Sequence, residues 1–376
     1  MGAGITSGEC SEQDTVNISQ EAVSGMLYTP VDIYMITVVM PVIWSLCLVI
    51  NLTFLFVVFR VPKLMRSDTN MYLAHIAVAD LLYVSLAFGF RIWRYLASPV
   101  AFHTPFVHAA GCICFSGGIN ATYYASIILI TMVTFERYLA LCHPMKHLRI
   151  RGRGRTNKMI AICWVVGWLF SIAIIPGAFV LNVRCLRWPD DDMYQDFPTS
   201  YAYCGPVVPW VADYARPILN IPWFMALVAN NYMYVRIMQM LNKRTTNRSI
   251  IGNDPNAIQI RNQVAKMLIV NGVVFFLCQT PYRIFSYSRW ITSLASIPDP
   301  LVTFYNANWI GGVPQYVNTL VNPMIYGAIN KQYRTAFREA FRCKSRSTQR
   351  ASAGSTMSTL ATRSSFGIDE QATVSQ

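Results

Sequence analysis

The sequence predicts an all-α membrane protein: a seven-transmembrane helix bundle with a short amphipathic cytoplasmic helix after the seventh span. Three observations carry this. Hydrophobic residues make up 54% of the 376 and charged ones only 13%, about half the roughly 25% usual in a soluble domain. Seven stretches reach the ~20 apolar residues that a helix needs to cross the hydrocarbon. The segments between them alternate between basic and acidic, as the positive-inside rule requires.

The first span lies between Asp32 and Arg60, with no charge in between. Six more follow at about 70–96, 109–136, 158–182, 211–236, 264–290 and 300–328. Pro41, Pro176, Pro222, Pro281 and Pro323 fall inside these stretches. Soluble helices would break there, whereas a bundle in lipid tolerates the kinks because neighbouring helices satisfy the freed carbonyls. Residues 1–30 read as an N-terminal tail, 31–330 as the bundle, 331–343 as a surface helix and 344–376 as a disordered tail.

Loop charge sets the orientation. Arg137, Lys146, Arg149, Arg151, Arg153 and Arg155 crowd one side, while Asp190, Asp191, Asp192 and Asp196 lie on the other. The N-terminus is expected outside and the C-terminus inside. Residues 1–30 hold no apolar stretch of signal-peptide length, so the first span is expected to serve as the uncleaved signal. The net charge of +13 is explained by this asymmetry, and nucleic acid is not an expected partner.

Ionisable groups inside a span are costly and by default functional. Asp80 is the one in the second span, and Ser126, Asn318 and Asn322 are its expected polar neighbours. Oxygens around one carboxylate can hold a small hydrated cation, with sodium the expected ion; a bare hydrogen-bond network is the alternative. At the end of the third span, Glu136, Arg137 and Tyr138 suggest an ion pair that latches a helix end.

After Asn330, Tyr333, Phe337 and Phe341 recur every four residues among Lys331, Arg334, Arg338 and Arg342, the pattern of a helix lying on a membrane surface. Cys343 ends it as a palmitoylation candidate. The Ser/Thr-rich segment beyond offers phosphorylation sites for a receptor kinase and arrestin. Of three Asn-x-Ser/Thr sequons, topology leaves only Asn17 accessible for a glycan; Asn51 is in the bilayer and Asn247 inside.

Asn51, the run Leu73–Asp80, Glu136-Arg137-Tyr138, Trp164, Phe275 with Cys278 and Pro281, and Asn322-Pro323-Met324-Ile325-Tyr326 together resemble the fingerprint of rhodopsin-like (class A) G-protein-coupled receptors, from about residue 30 to 343. The resemblance implies that Arg137, Phe275, Pro281, Pro323 and Tyr326 take part in an activation switch that opens a cleft for a heterotrimeric G protein. It also implies a disulfide from Cys112 on the third helix to the second extracellular loop. Cys204 matches the loop position better than Cys185, while Cys114 and Cys185 stay open and Cys10 has no assigned partner. Gln279 departs from the family, which carries Trp there, and puts the usual aromatic toggle in question.

The outer segment of the third span, Ser116 to Asn120, lacks the acid of amine receptors, and 300–330 lacks the Lys that retinal requires. The outer half instead offers Asn120, Tyr123, Tyr124, Gln279, Tyr282, Arg283, Gln315 and Tyr316, with Arg91 and Arg289 nearer the mouth. Arg presents a fork to an anion and Tyr a ring plus a hydroxyl, so a peptide is the expected ligand. The Pro281-Tyr282-Arg283 sequence is similar to the peptide-receptor branch holding the thyrotropin-releasing hormone, neuromedin U and ghrelin receptors. A neuropeptide or peptide-hormone receptor of the plasma membrane is therefore expected, with no enzymatic activity. A small-molecule or lipid receptor of the same fold is the alternative, then a transporter or channel.

Overall fold

The computed structural model describes residues 15–178, 180–246, 255–298 and 307–342. Cys10, Asn247, Cys343 and the tail from 344 lie outside them. Seven long helices form the bundle: α1 (Pro30–Arg60), α2 (Asp68–Ala97), α3 (Ala109–Cys142), α4 (Arg153–Ala178), α5 (Pro209–Thr246), α6 (Pro255–Ala295) and α7 (Ala307–Ile329). Each packs on its sequence neighbour, α7 closes the ring on α1, and α3 runs through the middle against α2, α4, α5 and α6. Five are apolar enough throughout to be read as spans on composition alone. The other two, α5 with 38 residues and α7 with 23, have the length but dilute it with Asn220, Asn230, Asn318 and Asn322, all buried.

The predicted spans hold, with ends that differ. Helix α6 begins at Pro255 and α5 runs to Thr246, so both project beyond any ~30 Å hydrocarbon layer. Helix α4 stops at Ala178 because the chain turns into a strand at Val180. Pro176, Pro222, Pro281 and Pro323 stand inside their helices. In α1 a wide π turn at Met35–Val39 sits just before Pro41, absorbing the donor that proline lacks.

Residues 15–28 are more than a polar tail. Strand β1 (Thr15–Asn17) pairs in parallel with β2 (Val180–Arg187), which forms an antiparallel hairpin with β3 (Ser200–Gly205). Ile18 and Val23 pack with Val100, Leu186 and Tyr194 in a small separate core. These apolar side chains, spaced among polar ones, are what hold the segment down. A disulfide joins Cys112 on α3 to Cys204 on β3 across a Cα separation of 5.7 Å; Cys114 is a free thiol, and Cys185 is also disulfide-bonded.

Helix α8 (Lys331–Phe341) starts at Asn330, whose side chain accepts the amide of Gln332. Tyr333, Ala336 and Ala340 are its buried positions, while Phe341 is 63% exposed and meets the Phe56 ring of α1 with centroids 5.6 Å apart. Small residues are needed where Arg60 Nε donates to Ala340 O, because a larger side chain would hold the two helices apart.

Gly167 on α4 shows how closely the helices approach. A Cβ there would lie 2.9 Å from Ala121 O and from Ala125 N on α3, atoms that cannot rotate away. Gly167→Ala is expected to destabilise the bundle by about 1–3 kcal/mol, read as a lower thermal midpoint in detergent. An unchanged midpoint would show that the α3–α4 contact is looser than described.

Candidate functional site

Nearest the N-terminal end of the bundle, side chains from five helices converge. On α6, Arg283 is buried; its guanidinium donates to Leu219 O (2.8 Å) and Asn220 Oδ1 (3.0 Å) of α5. It also lies 4.8 Å from the Tyr123 ring centroid and 5.2 Å from that of Tyr282. Asn220 is held in turn by donating to Ser286 Oγ at 2.9 Å. No carboxylate pairs with Arg283 among the described residues, which is unusual for a buried cation.

Toward α2 and α7, Tyr83 Oη donates to Gln315 Oε1 (3.1 Å) and stacks on Tyr316 with centroids 5.8 Å apart. Arg91 Nε donates to Tyr316 Oη at 3.3 Å, and its guanidinium covers Trp309 at 4.8 Å. Trp309 Nε1 donates to Asp32 Oδ1 at 2.7 Å, so the mouth of α7 is tied to the start of α1. Tyr83 and Tyr123, 6.3 Å apart, link the two halves.

The structure thus brings Tyr123, Arg283, Gln315, Tyr316 and Arg91 together, with Gln279 buried one turn below Arg283. Gln279 Oε1 and Arg283 Nε are buried without a hydrogen-bond partner, and the Tyr123 hydroxyl stands beside the Arg283 guanidinium. Other predicted residues stand at the margin. Asn120 donates to Ser116 O of its own helix, and Tyr124 Oη to Ile218 O. Tyr282 is 41% exposed, and exposed Arg289 bonds Asn308 Oδ1. The sequence reading missed Tyr83 and Asn220. A polar residue in the otherwise apolar run after Pro217 was the available signal for Asn220.

Deeper in the bundle, Asp80 Oδ2 accepts from Asn322 Nδ2 at 2.6 Å. Ser126 faces the same carboxylate, and Asn318 Oδ1 is buried without a hydrogen-bond partner. Asn51 Nδ2 donates to Thr319 O at 2.9 Å, fastening α1 to α7. One carboxylate surrounded by hydroxyl and amide oxygens with unused lone pairs fits a small hard cation. Below it, Tyr326 packs between Phe54 (5.3 Å) and Tyr333 (6.0 Å), and the Tyr333 hydroxyl bonds Asn70. Phe275 is fully buried against Phe276, and Pro281 and Pro323 lie inside their helices.

At the α8 end, Glu136 ion-pairs with Arg155 at 2.8 Å. The expected latch between Glu136 and its neighbour Arg137 is corrected on the acid's side: the carboxylate fastens α3 to the start of α4. His147 Nδ1 lies 3.8 Å from the same carboxylate. Burial pushes the His147 imidazole below its usual range against the pull of Glu136, so the ring is neutral and Arg155 is the charged partner. Arg137 is within electrostatic reach of His147 and Tyr333. Tyr138 Oη meets His143 Nε2 at 3.1 Å.

A profile of the 7 transmembrane receptor (rhodopsin family) matches residues 50–326. The chain belongs to that family. Its members are receptors and not enzymes, in agreement with the resemblance found in the motifs. Similar proteins include a neuromedin U receptor homolog of Caenorhabditis elegans, 26% identical over 75% of this chain and 73% of its own. The human neuromedin-U receptor 2 is 27% identical over 73% of this chain and 63% of its own. The mouse thyrotropin-releasing hormone receptor is 26% identical over 91% and 86%.

Within this family fold, Arg155 is the partner that Glu136 depends on. Arg155→Ala leaves a carboxylate that is only 9% exposed without its cation. A loss of about 1–3 kcal/mol is expected, below the full cost of breaking a buried pair because Arg155 is partly solvated. Thermal denaturation of the purified receptor checks it, and Arg155→Lys should restore most of the loss.

Proposed function

We propose that this receptor binds an extracellular peptide in the cage around Arg283 and activates a heterotrimeric G protein at the α8 end. The observation that carries the reading is Arg283: a buried guanidinium with carbonyl acceptors on one side and an unpaired Nε on the other. Leaving a buried donor unpaired costs about 1–3 kcal/mol, and a ligand carboxylate or amide carbonyl recovers it. Tyr123, Gln279, Gln315 and Tyr316 add ring area and amide-type partners, as a peptide backbone requires. The relatives named for neuromedin U and thyrotropin-releasing hormone support a ligand of that class.

The loop charges support an N-terminus outside, and on this reading the receptor works in the plasma membrane, with receptor kinase and arrestin acting on the tail. Exposed Asn17 on β1 suits a glycan on that side. Arg137, Tyr326 and Pro323 stand where the family's activation switch is expected. Sodium is the ion proposed for the Asp80 pocket, held by Asp80 with Ser126 and Asn318.

Nucleotide exchange on purified G protein, screened with neuropeptides, tests the reading; no response to any peptide, together with ion flux in liposomes, would favour a channel. Arg283→Ala is expected to weaken the active peptide by about 10- to 150-fold, the equivalent of ~1.5–3 kcal/mol for a charged hydrogen bond. Wild-type affinity would remove Arg283 from the ligand contacts. Sodium is expected to raise the thermal midpoint of the ligand-free receptor, and Asp80→Asn to abolish that rise. A sodium effect that survives the substitution places the ion elsewhere.

A further inference from the structure

A chamber of about 360 Å³ lies between α2, α3 and β3. Phe90, Phe102, Tyr201 and Tyr203 supply its aromatic walls, with Ser116, Thr104 and Arg94 as the polar part. We infer that this chamber is a subsite for an aromatic side chain of the ligand, two or three residues from the group held at Arg283. The inference rests on the peptide reading above.

Its chemistry selects the occupant. No carboxylate lines it, so a cationic side chain would find no counter-charge. Its single cation is already engaged: Arg94 donates to Ala101 O (2.6 Å) and His103 O (2.8 Å) and covers the Phe90 ring at 5.3 Å. What remains is ring surface beside the fixed positive charge of Arg94, which repels a second cation, so another ring is favoured over a positive charge or a plain amide.

The chamber is also built to stay open. Phe90 stacks on Phe106 (5.6 Å) and Phe115 (5.9 Å), and Phe106 fills the space where Gly111 has no Cβ. The roof is β3, fastened through the Cys112–Cys204 disulfide. It is fastened again where Thr104 N donates to Ala202 O (2.7 Å) and Ala202 N to His103 Nδ1 (3.3 Å). Burial, with Arg94 nearby, holds the His103 imidazole below its usual range, and the neutral ring keeps its acceptor. Walls fixed before binding reduce the ordering cost that a ligand meets.

Position along α3 sets the spacing. Ser116, Asn120 and Tyr123 follow each other along one face of α3, with Asn120 Nδ2 bonded to Ser116 O. Seven residues of helix rise ~10 Å, and an extended peptide covers that in about three residues. Phe90 precedes Arg91, which belongs to the deep cage through Tyr316.

Cysteine labelling tests the chamber without knowing the ligand. Ser116→Cys is placed in a Cys114→Ala background, because Cys114 is free and exposed; Thr104→Cys serves if that variant does not fold. Rates with benzyl and with aminoethyl methanethiosulfonate are measured in the full receptor and normalised to those at Ser19→Cys, an exposed position away from the chamber. A preference of about three- to tenfold for the benzyl reagent is expected. N-acetyltryptophanamide should slow labelling, and Phe102→Ala should reduce the preference. Equal normalised rates, or a preference for the cation, overturn the subsite even where peptide-driven nucleotide exchange is intact. Absence of exchange with any peptide, with the aromatic preference retained, would instead overturn the peptide reading.

Discussion

Hydrocarbon offers no hydrogen-bond partner, and every buried polar group of this chain is arranged under that constraint. Helices satisfy their own backbone, and threonines inside them turn back on it, as Thr131 and Thr134 do by donating to carbonyls four residues earlier. The larger polar side chains reach across to another helix. Asn51 fastens α1 to α7, Asn230 bonds Thr131 of α3, and Trp164 Nε1 of α4 donates to His75 of α2. Lipid tails are as apolar as leucine, so these bonds and the close approach at Gly167 supply what hydrophobic burial cannot. The bundle's order follows from where these residues stand.

The same constraint makes the Arg283 cage informative. A guanidinium buried without a carboxylate is expensive, yet here it is held by a backbone carbonyl and an asparagine that is itself held by Ser286. Asn220 positions the cation and neutralises nothing. The site therefore keeps a positive charge among tyrosines and amides, the feature on which the proposed ligand contact rests. Asp80 presents the mirror image in the middle of the bundle: one carboxylate with Asn322 as its donor and unused oxygens around it. Two opposite charges, each incomplete, mark the two polar stations of the core.

Much of this was legible in the sequence. Apolar length and loop charge exposed the spans, because the bilayer imposes both over tens of residues. Asp80, Asn322 and Tyr326 stood out because polar residues are rare at such depth. What was not legible depends on who meets whom. Nothing beside Glu136 in the chain points to Arg155, which comes close only when the short helix at Pro144–Ile150 turns the chain toward α4. The strand at Thr15–Asn17 is three residues long and gains its order from β2 and from the small core under Leu186. On α8, periodicity marked the apolar positions but not which helix each would meet: Tyr333 lies against Tyr326 of α7 and Phe341 against Phe56 of α1.

Gln279 is where sequence and structure together alter the expected machinery. The family's tryptophan at this position would act through ring volume; here the side chain is a buried amide whose Oε1 has no partner. It lies one turn from Arg283 on one side and one turn from Phe275 on the other, along a single face of α6. An unpaired buried carbonyl costs about 1–3 kcal/mol, so any arrangement that offers it a donor is favoured by a comparable amount. A donor from a ligand seated at Arg283 would meet that need directly. On the reading proposed above, the link between the cage and the core is then a hydrogen bond completed by the ligand, sensitive to the ligand's donors more than to its bulk.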